Sequence, residues 1–369
     1  MKCFKEEFAA LKKQTSESGE SEREIEWVKR QLADKPLVLY GAGIAGFWTA
    51  HLLRHFDIKV TCFCDKNKTG VHGETKLPVI SPQSLLTNYS DANIIISSPI
   101  YEDEIKRDLH IMGITQERLF LRNFINFQSL TPEALEPHLS GYERAYNLFA
   151  DDISRQTLLG RIKCYLTPFP LIKPPFATFP PELQYFDPEI ITLSQDEIFA
   201  DGGMYVGDTA EQFYKLSGGK YAHYYGFEPE RQNYAKANKV LAGKPNMTLI
   251  LKGLWSSETQ LGFSNGLASG SRLDETSGNF IDVTALDLYF SDMASPTFIK
   301  MDIEGAELEA LKGAERIIRE HKPKLAICAY HKPEDIYMLP ELVKSYHGGY
   351  RFYVRHYANT SLETVFYAI

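Results

Sequence analysis

The stretch from residue 197 to the end alternates short apolar runs with longer segments, and this alternation restricts the possible folds more than any other feature of the chain. The runs are EIFAD (197–201), YYGFEP (224–229), MTLILKG (247–253), PTFIKMD (296–302), KLAICAYH (324–331), YRFYVRHY (350–357) and ETVFYAI (363–369). Unbroken apolar runs bounded by turn residues read as strands buried on both faces of a parallel sheet, with helices after the first, second, fourth and fifth. The last two runs are joined by the short turn ANTS, which permits only an antiparallel hairpin. The expected fold class is α/β: a seven-stranded, mostly parallel sheet with an antiparallel last strand, over residues 196–369.

A chain of 369 residues exceeds what one hydrophobic core usually organises, so a second domain is expected. From residue 36 the text runs PLVLY, GAGIAG, FWTAHLLRHF and KVTCFCD, with a further apolar run ANIIISSP at 92–99. This predicts a smaller Rossmann-like α/β domain over 36–125. Residues 1–35 read as an exposed helical arm interrupted by QTSESGESE, and 126–195 as a helical and proline-rich connector containing TPFPLIKPPFATFPPELQYFDP.

Forty basic residues against forty-eight acidic ones give a formal charge of -8, which argues against nucleic acid or an anionic membrane as the main partner and toward small ligands. The charged N-terminus lacks the apolar core of a signal peptide, and no apolar run is long enough to span a membrane. Cys3, Cys62, Cys64, Cys164 and Cys328 form no CxxC or Cys/His cluster, so they read as reduced thiols of a cytoplasmic protein, without a zinc site. The oligomeric state is not legible.

In an open parallel sheet, ligands collect beyond the carboxyl ends of the strands, so acids at those ends are informative. In FADGGMYVGDT, Asp201 closes the first strand, Gly203 and Gly207 allow a tight turn, and Asp208–Thr209 can cap the next helix. No Gly-Lys-Ser/Thr follows, so the loop is not a phosphate-cradling P-loop. Glu228 ends the second strand, where its two oxygens can accept both hydroxyls of a ribose. Taken singly, Asp201 could be a capping acid and Glu228 a surface carboxylate. FIKMDIEGAE adds Asp302 and Glu304 at the same edge, and the set together points to a nucleoside site.

FADGGMYVGDT, YGFEPE, KGLWSSE, PTFIKMDIEGAELEALKGAE, LAICAYHKPED and YRFYVRHY…ETVFYAI resemble the FkbM family of S-adenosylmethionine-dependent methyltransferases, over about residues 180–369. The IKMDIEGAE block is the most specific part of the likeness. The resemblance implies the class I methyltransferase sheet, S-adenosylmethionine as cofactor, and O-methylation of a sugar, polysaccharide or related natural product. It implies that Asp201, Gly203 and Gly207 hold the methionine end of the cofactor, with Tyr205 and Thr209 in the same loop, and that Glu228 holds its ribose. Tyr205 stands where the superfamily usually has a further glycine, so it must point away from the cofactor or wall it in. The usual acid after the third strand is missing; Trp255 stands there, as an adenine contact or as core packing.

Methyl transfer from a sulfonium needs an aligned nucleophile and, for a hydroxyl, a base. The candidates are Asp302, Glu304 and His331. His331 has the better ordinary basicity near neutrality, while Asp302 could be the base, orient the histidine or bind substrate hydroxyls. Glu304 could instead serve the following helix N-terminus. Asp302 and Glu304 alone make no clear metal set, and no metal is expected. Lys300 could be the partner of Asp302, His223 reads as a packed strand residue, and Arg355 and Tyr357 as edge-strand composition or the lining of a sugar pocket.

GAGIAG, followed by Asp65 nineteen residues after Gly46, also satisfies the dinucleotide fingerprint. An NAD(P)-dependent oxidoreductase is therefore an alternative. This stretch is also similar to small Rossmann-like domains fused to bacterial sugar-modifying transferases. That likeness implies a nucleotide-sugar held by Gly41, Gly43, Gly46 and Asp65, and a non-catalytic nucleotide-sugar-binding module is the remaining alternative. A purely structural glycine turn accounts equally well for the loop.

Overall fold

A computed structural model describes residues 3–17, 26, 29–32, 34–98, 101–120, 130, 132–166, 176–264, 272–273, 280–358 and 362–369. The chain divides into two compact units: Met1–Glu7 with Glu133–Ile162 and Pro174–Ile369, and Phe8–Pro132 with Lys163–Lys173.

The smaller unit carries a six-stranded sheet built from β1 (Leu37–Tyr40), β2 (Cys62–Cys64), β3 (Gly70–Val71), β4 (Pro78–Ile80), β5 (Asn93–Ile96) and β6 (Leu119–Phe120), in the order β3-β4-β2-β1-β5-β6. All pairings are parallel except β3 with β4. β1, β2 and β5 are buried throughout, which explains their unbroken apolar text. Helix α1 (Ile44–His55) follows the first glycine turn. A Cβ on Gly46 would lie 2.0 Å from the carbonyl oxygen of Gly41, so this glycine serves close helix–turn packing.

The larger unit holds the seven-stranded sheet. Its strands are β7 (Ile198–Gly202), β8 (His223–Phe227), β9 (Met247–Ile250), β14 (Phe298–Met301), β15 (Lys324–Cys328), β16 (Phe352–His356) and β17 (Thr364–Ala368), in the order β16-β17-β15-β14-β7-β8-β9. β17 runs antiparallel to both β15 and β16, and the other pairings are parallel. The chain leaves β7 toward β8 and β9, then returns to lay β14 on its other side, so the topological switch point falls between β7 and β14. The crevice outside those strand ends is where a ligand fits.

Between β9 and β14 lies an additional four-stranded sheet that the apolar text did not disclose. It comprises β10 (Gly253–Leu254), β11 (Thr259–Ser264), β12 (Arg272–Leu273) and β13 (Phe280–Thr284), in the order β10-β13-β11-β12. β10 is buried but only two residues long, and β11 and β13 are partly exposed where described, so they lack the apolar runs that identify buried strands.

Helices α2 (Asp208–Leu216), α3 (Arg231–Val240), α4 (Glu307–Lys312), α5 (Glu315–His321) and α6 (Asp335–Tyr346) follow β7, β8, β14 and β15, with α4 and α5 both after β14. On one side of the sheet Phe199 and Phe298 stack at 4.6 Å, and Phe186 meets both rings edge-on. Phe186 comes from PELQYFD in the proline-rich segment, so that stretch belongs to this core. Phe4 is also buried, with its ring 5.7 Å from that of Tyr146, which corrects the reading of the first residues as wholly solvated.

Candidate active site

β14 is buried along its whole length, yet its third residue is a lysine. The strand register sets Lys300 directly beside Asp201 of β7, and Nζ lies 2.9 Å from Asp201 Oδ1. Lys300 also donates to the carbonyl oxygens of Gly202 at 3.2 Å and Gly203 at 2.7 Å. Burial works against its charge, but Asp201 and then Asp302 hold the lysine above its usual pKa range. Tyr224 donates to Asp201 Oδ2 at 2.7 Å. The structural partner of Lys300 is therefore Asp201 rather than Asp302, and Asp201 acts on the glycine turn from beneath it.

That turn is strained. Gly203 has φ +75, Tyr205 φ 51 and Gly207 φ 92. A Cβ on Gly203 would come within 1.9 Å of the Asp302 carbonyl oxygen, so the glycine lets β7 and β14 close against each other at the switch point. Tyr205 takes the left-handed conformation that a glycine would adopt without cost, and its side chain is exposed. α2 is not capped by Asp208 or Thr209: Gly207 is its N-cap, without a side-chain cap, because its left-handed backbone makes the turn. Thr209 is buried one residue into the helix.

Glu228 follows β8 and is buried. Oε2 accepts the Tyr205 N–H at 3.1 Å and Oε1 the Glu230 N–H at 2.8 Å. Burial pushes its carboxyl up to about 7, against the pull of those two donors. A carboxylate has about four acceptor positions, so two remain for a diol. The corresponding acid of the smaller unit, Asp65, accepts the N–H groups of Ala42 (2.9 Å), Asn67 (2.9 Å) and Lys68 (3.1 Å), which leaves about one. Trp255 stands just after β10, half-buried, and its backbone N–H donates to the Thr284 carbonyl at 2.9 Å.

Beyond β14 and β15 the other predicted residues come together. Asp302 Oδ2 accepts the Tyr185 hydroxyl at 2.9 Å and Oδ1 that of Tyr330 at 3.3 Å. His331 Nε2 lies 3.7 Å from Asp302 Oδ1 and 3.5 Å from Glu304 Oε2, while Nδ1 lies 3.1 Å from Oε1 of the fully buried Glu307. Burial alone would lower the imidazole, but Glu307, Asp302 and Glu304 outweigh it and raise His331 to about 10. It is thus an imidazolium at neutral pH, which corrects the expectation of a histidine with ordinary basicity. Burial raises Glu304 to about 7 against the pull of His331. Lys300 and His331 hold Asp302 below the usual carboxylate range, although burial opposes them.

Sequence reasoning missed five members of this cluster: Gln184, Tyr185, Glu307, Tyr330 and Glu363. Tyr185, at φ 68, reaches Asp302 from the proline-rich segment. Gln184 beside it donates to Tyr185 Oη at 2.9 Å and to Glu363 Oε2 at 2.5 Å. Glu307 was visible in DIEGAE; its spacing from Asp302 was the available signal. Glu304 and Glu363 adopt φ 56 and 65, so Tyr185, Tyr205, Glu304 and Glu363 place four strained backbones around one edge, at about 1–3 kcal/mol each.

Arg355 and Tyr357 do not line this site. Arg355 is buried against Asp151 at 2.7 Å and Asp187 at 3.8 Å, and the Tyr357 hydroxyl meets that of Tyr367 at 2.7 Å. His223 Nε2 pairs with Thr248 Oγ1 at 2.9 Å within the sheet.

Residues 201–357 match the family model described as the methyltransferase FkbM domain. The chain carries an FkbM methyltransferase domain. That domain begins at Asp201 and includes Glu228, Asp302, Glu304, Glu307 and His331, while Gln184, Tyr185 and Glu363 lie outside the matched residues. No curated protein matches the chain. Among solved structures, methyltransferase FkbM from Methylobacillus flagellatus KT is 24% identical, with a TM-score of 0.63 over 99% of this chain and 98% of that one; the likeness shows the fold. An rRNA methylase from Streptococcus thermophilus is 17% identical over 48% of this chain and 87% of that one, at a TM-score of 0.30. Aeropyrum pernix fibrillarin is 13% identical over 49% and 70%, at 0.31.

Proposed function

We propose that the FkbM domain transfers a methyl group from S-adenosylmethionine to a hydroxyl of a sugar, polysaccharide or related natural product. The observation that carries this reading is Glu228: a buried carboxylate, anchored by two backbone N–H groups beside the glycine turn, with acceptor capacity left for a ribose diol. On this reading Gly203, Tyr205, Gly207 and Thr209 form the wall against which the methionine end lies, and Asp201, through Lys300, keeps that wall in shape. Trp255 faces the adenine.

The acceptor hydroxyl meets the cluster of Asp302, Glu304 and His331. His331, oriented by Asp302, donates to its oxygen, and Glu304, whose side chain is 37% exposed, receives the proton. The oxygen attacks the methyl carbon as the carbon–sulfur bond breaks, and the sulfonium leaves as a neutral thioether. Alignment supplies much of the acceleration, since the donor is already activated. An acid-rich edge suits an acceptor rich in hydroxyls, each of which can donate to a carboxylate. No described helix is long and apolar enough to cross a membrane, and none of the five cysteines is joined in a disulfide, which fits a reducing compartment such as the cytoplasm.

In the smaller unit, the turn of Gly41, Gly43 and Gly46 with Asp65 is a second candidate ligand site, for a nucleotide-linked sugar. Gly43 favours it: a Cβ there would meet nothing within 4 Å, so internal packing does not require this glycine.

Calorimetric titration with S-adenosylhomocysteine tests the main reading. Saturable binding that disappears in Glu228→Ala supports it. Binding of NAD(H) alone, lost in Asp65→Ala, overturns it in favour of an oxidoreductase.

A further inference from the structure

Glu307 is fully buried, and only one of its oxygens is accounted for. Oε1 accepts the Ile303 N–H at 2.9 Å. Oε2 has no hydrogen-bond partner, and neither do the two ring nitrogens of His331. The 3.1 Å approach of His331 Nδ1 to Glu307 Oε1 is close but off the line a hydrogen bond needs. Leaving a buried carboxylate oxygen unpaired is costly, so its occurrence beside two unpaired imidazole nitrogens calls for an occupant.

One oxygen of Asp302, one of Glu307 and one nitrogen of His331 lie within 4.8 Å of one another. Ligands of one ion at ordinary metal–ligand distances of about 2.0–2.2 Å lie at most about 4.4 Å apart, so small side-chain rotations that draw these three atoms together let them share one ion. Apart from His331, whose ring proton a bound ion would displace, the neighbouring cations are engaged: Lys300 with Asp201 and the glycine carbonyls, and Lys332 Nζ with the Gly305 carbonyl at 2.6 Å.

We propose that Asp302, Glu307 and His331 bind a divalent transition-metal cation at the carboxyl ends of β14 and β15. Two carboxylate oxygens and one imidazole nitrogen suit Mn²⁺ or Zn²⁺ better than Mg²⁺ or Ca²⁺, which prefer oxygen alone. Three protein ligands leave at least one position open. If the methyl-transfer reading holds, the acceptor oxygen takes that position and its hydroxyl becomes more acidic, while Glu304, outside the ligand set, receives the proton. The ion site itself does not depend on that reading.

The experiment is calorimetric titration of tag-free full-length protein, stripped with EDTA and dialysed, with Mn²⁺ and separately Zn²⁺, and without any cofactor analogue. One saturable site per chain is expected. It should weaken by more than about tenfold in Glu307→Gln and in His331→Ala, since losing a direct ligand costs more than losing an outer partner. Glu307→Gln keeps an acceptor for the Ile303 N–H, and circular dichroism of both variants checks folding. Absence of saturable binding of either ion to the wild-type protein overturns the proposal, as does unchanged affinity in both folded variants. Ion binding without S-adenosylhomocysteine binding leaves the proposal standing and removes the cofactor assignment; the reverse result does the opposite.

Discussion

Lys300 and Asp201 are register partners on adjacent buried strands, and their side chains meet at 2.9 Å directly under the glycine turn. The pair explains how a lysine is tolerated inside a parallel sheet and why the turn keeps its shape, since the same ammonium holds the Gly202 and Gly203 carbonyls. Removing one member of a buried ion pair leaves an uncompensated charge, at a cost of about 3–5 kcal/mol. Lys300→Met should lose stability on that scale in urea denaturation and bind S-adenosylhomocysteine more weakly. Wild-type stability in that variant would mean that Asp201 finds compensation elsewhere.

Affinity for S-adenosylhomocysteine should depend on pH through Glu228. Its carboxyl titrates at about 7 in the folded protein, and the ionised form is the better acceptor for a diol. At pH 6 most molecules pay the cost of ionisation before binding; at pH 8 few do. The expected tightening from pH 6 to 8 is about tenfold, absent in Glu228→Gln. A flat profile for the wild type would take Glu228 out of the binding site.

The same residue makes an opposite contribution to stability. A carboxyl raised above its ordinary value of 4.5 holds more protons folded than unfolded, so its effect on stability worsens as pH rises from 4.5 to 7. Thermal denaturation of Glu228→Gln should therefore improve relative to the wild type between pH 5 and pH 8, by at most about 3 kcal/mol. Parallel curves for the two proteins would count against the burial penalty.

Chemistry and binding should separate at the acceptor edge. Glu304→Gln is expected to lower methyl transfer by about 10²- to 10⁴-fold while S-adenosylhomocysteine affinity is kept. Tyr185→Phe removes the hydroxyl that donates to Asp302 at 2.9 Å, and loss of such a charged hydrogen bond costs about 1.5–3 kcal/mol. Full turnover by Glu304→Gln would exclude it as the proton acceptor.

The glycines of the two loops should respond differently. Gly203→Ala drives a Cβ to 1.9 Å from the Asp302 carbonyl at φ +75, so a loss of more than about 2 kcal/mol is expected in chemical denaturation. Gly43→Ala meets nothing within 4 Å and should fold with wild-type stability or better, by about 0.4–1 kcal/mol. Weaker nucleotide-sugar binding in that stable variant would make the first loop a ligand site, and no change would leave it structural.

The sequence by itself determined the seven-stranded sheet, its antiparallel end and the acids at its carboxyl edge. Strands buried on both faces must be apolar throughout, so they stand out in the text, and Asp201, Glu228, Asp302 and His331 mark where they stop. The glycine turn was legible for the same reason. The four-stranded sheet over 253–284 was not, because β10 is only two residues long and the partly exposed β11 and β13 carry mixed side chains. Only the tertiary structure decided which charges face each other. Lys300 is two residues from Asp302 in the chain, yet strand register gives it to Asp201, ninety-nine positions earlier. Glu307, a helix residue in sequence terms, becomes the buried neighbour of His331, and Tyr185 arrives from a segment that read as a linker. Hydrophobic periodicity is local and survives in one dimension; pairing of charges, burial and the pKa changes that follow depend on contacts between distant residues, which only the folded chain makes.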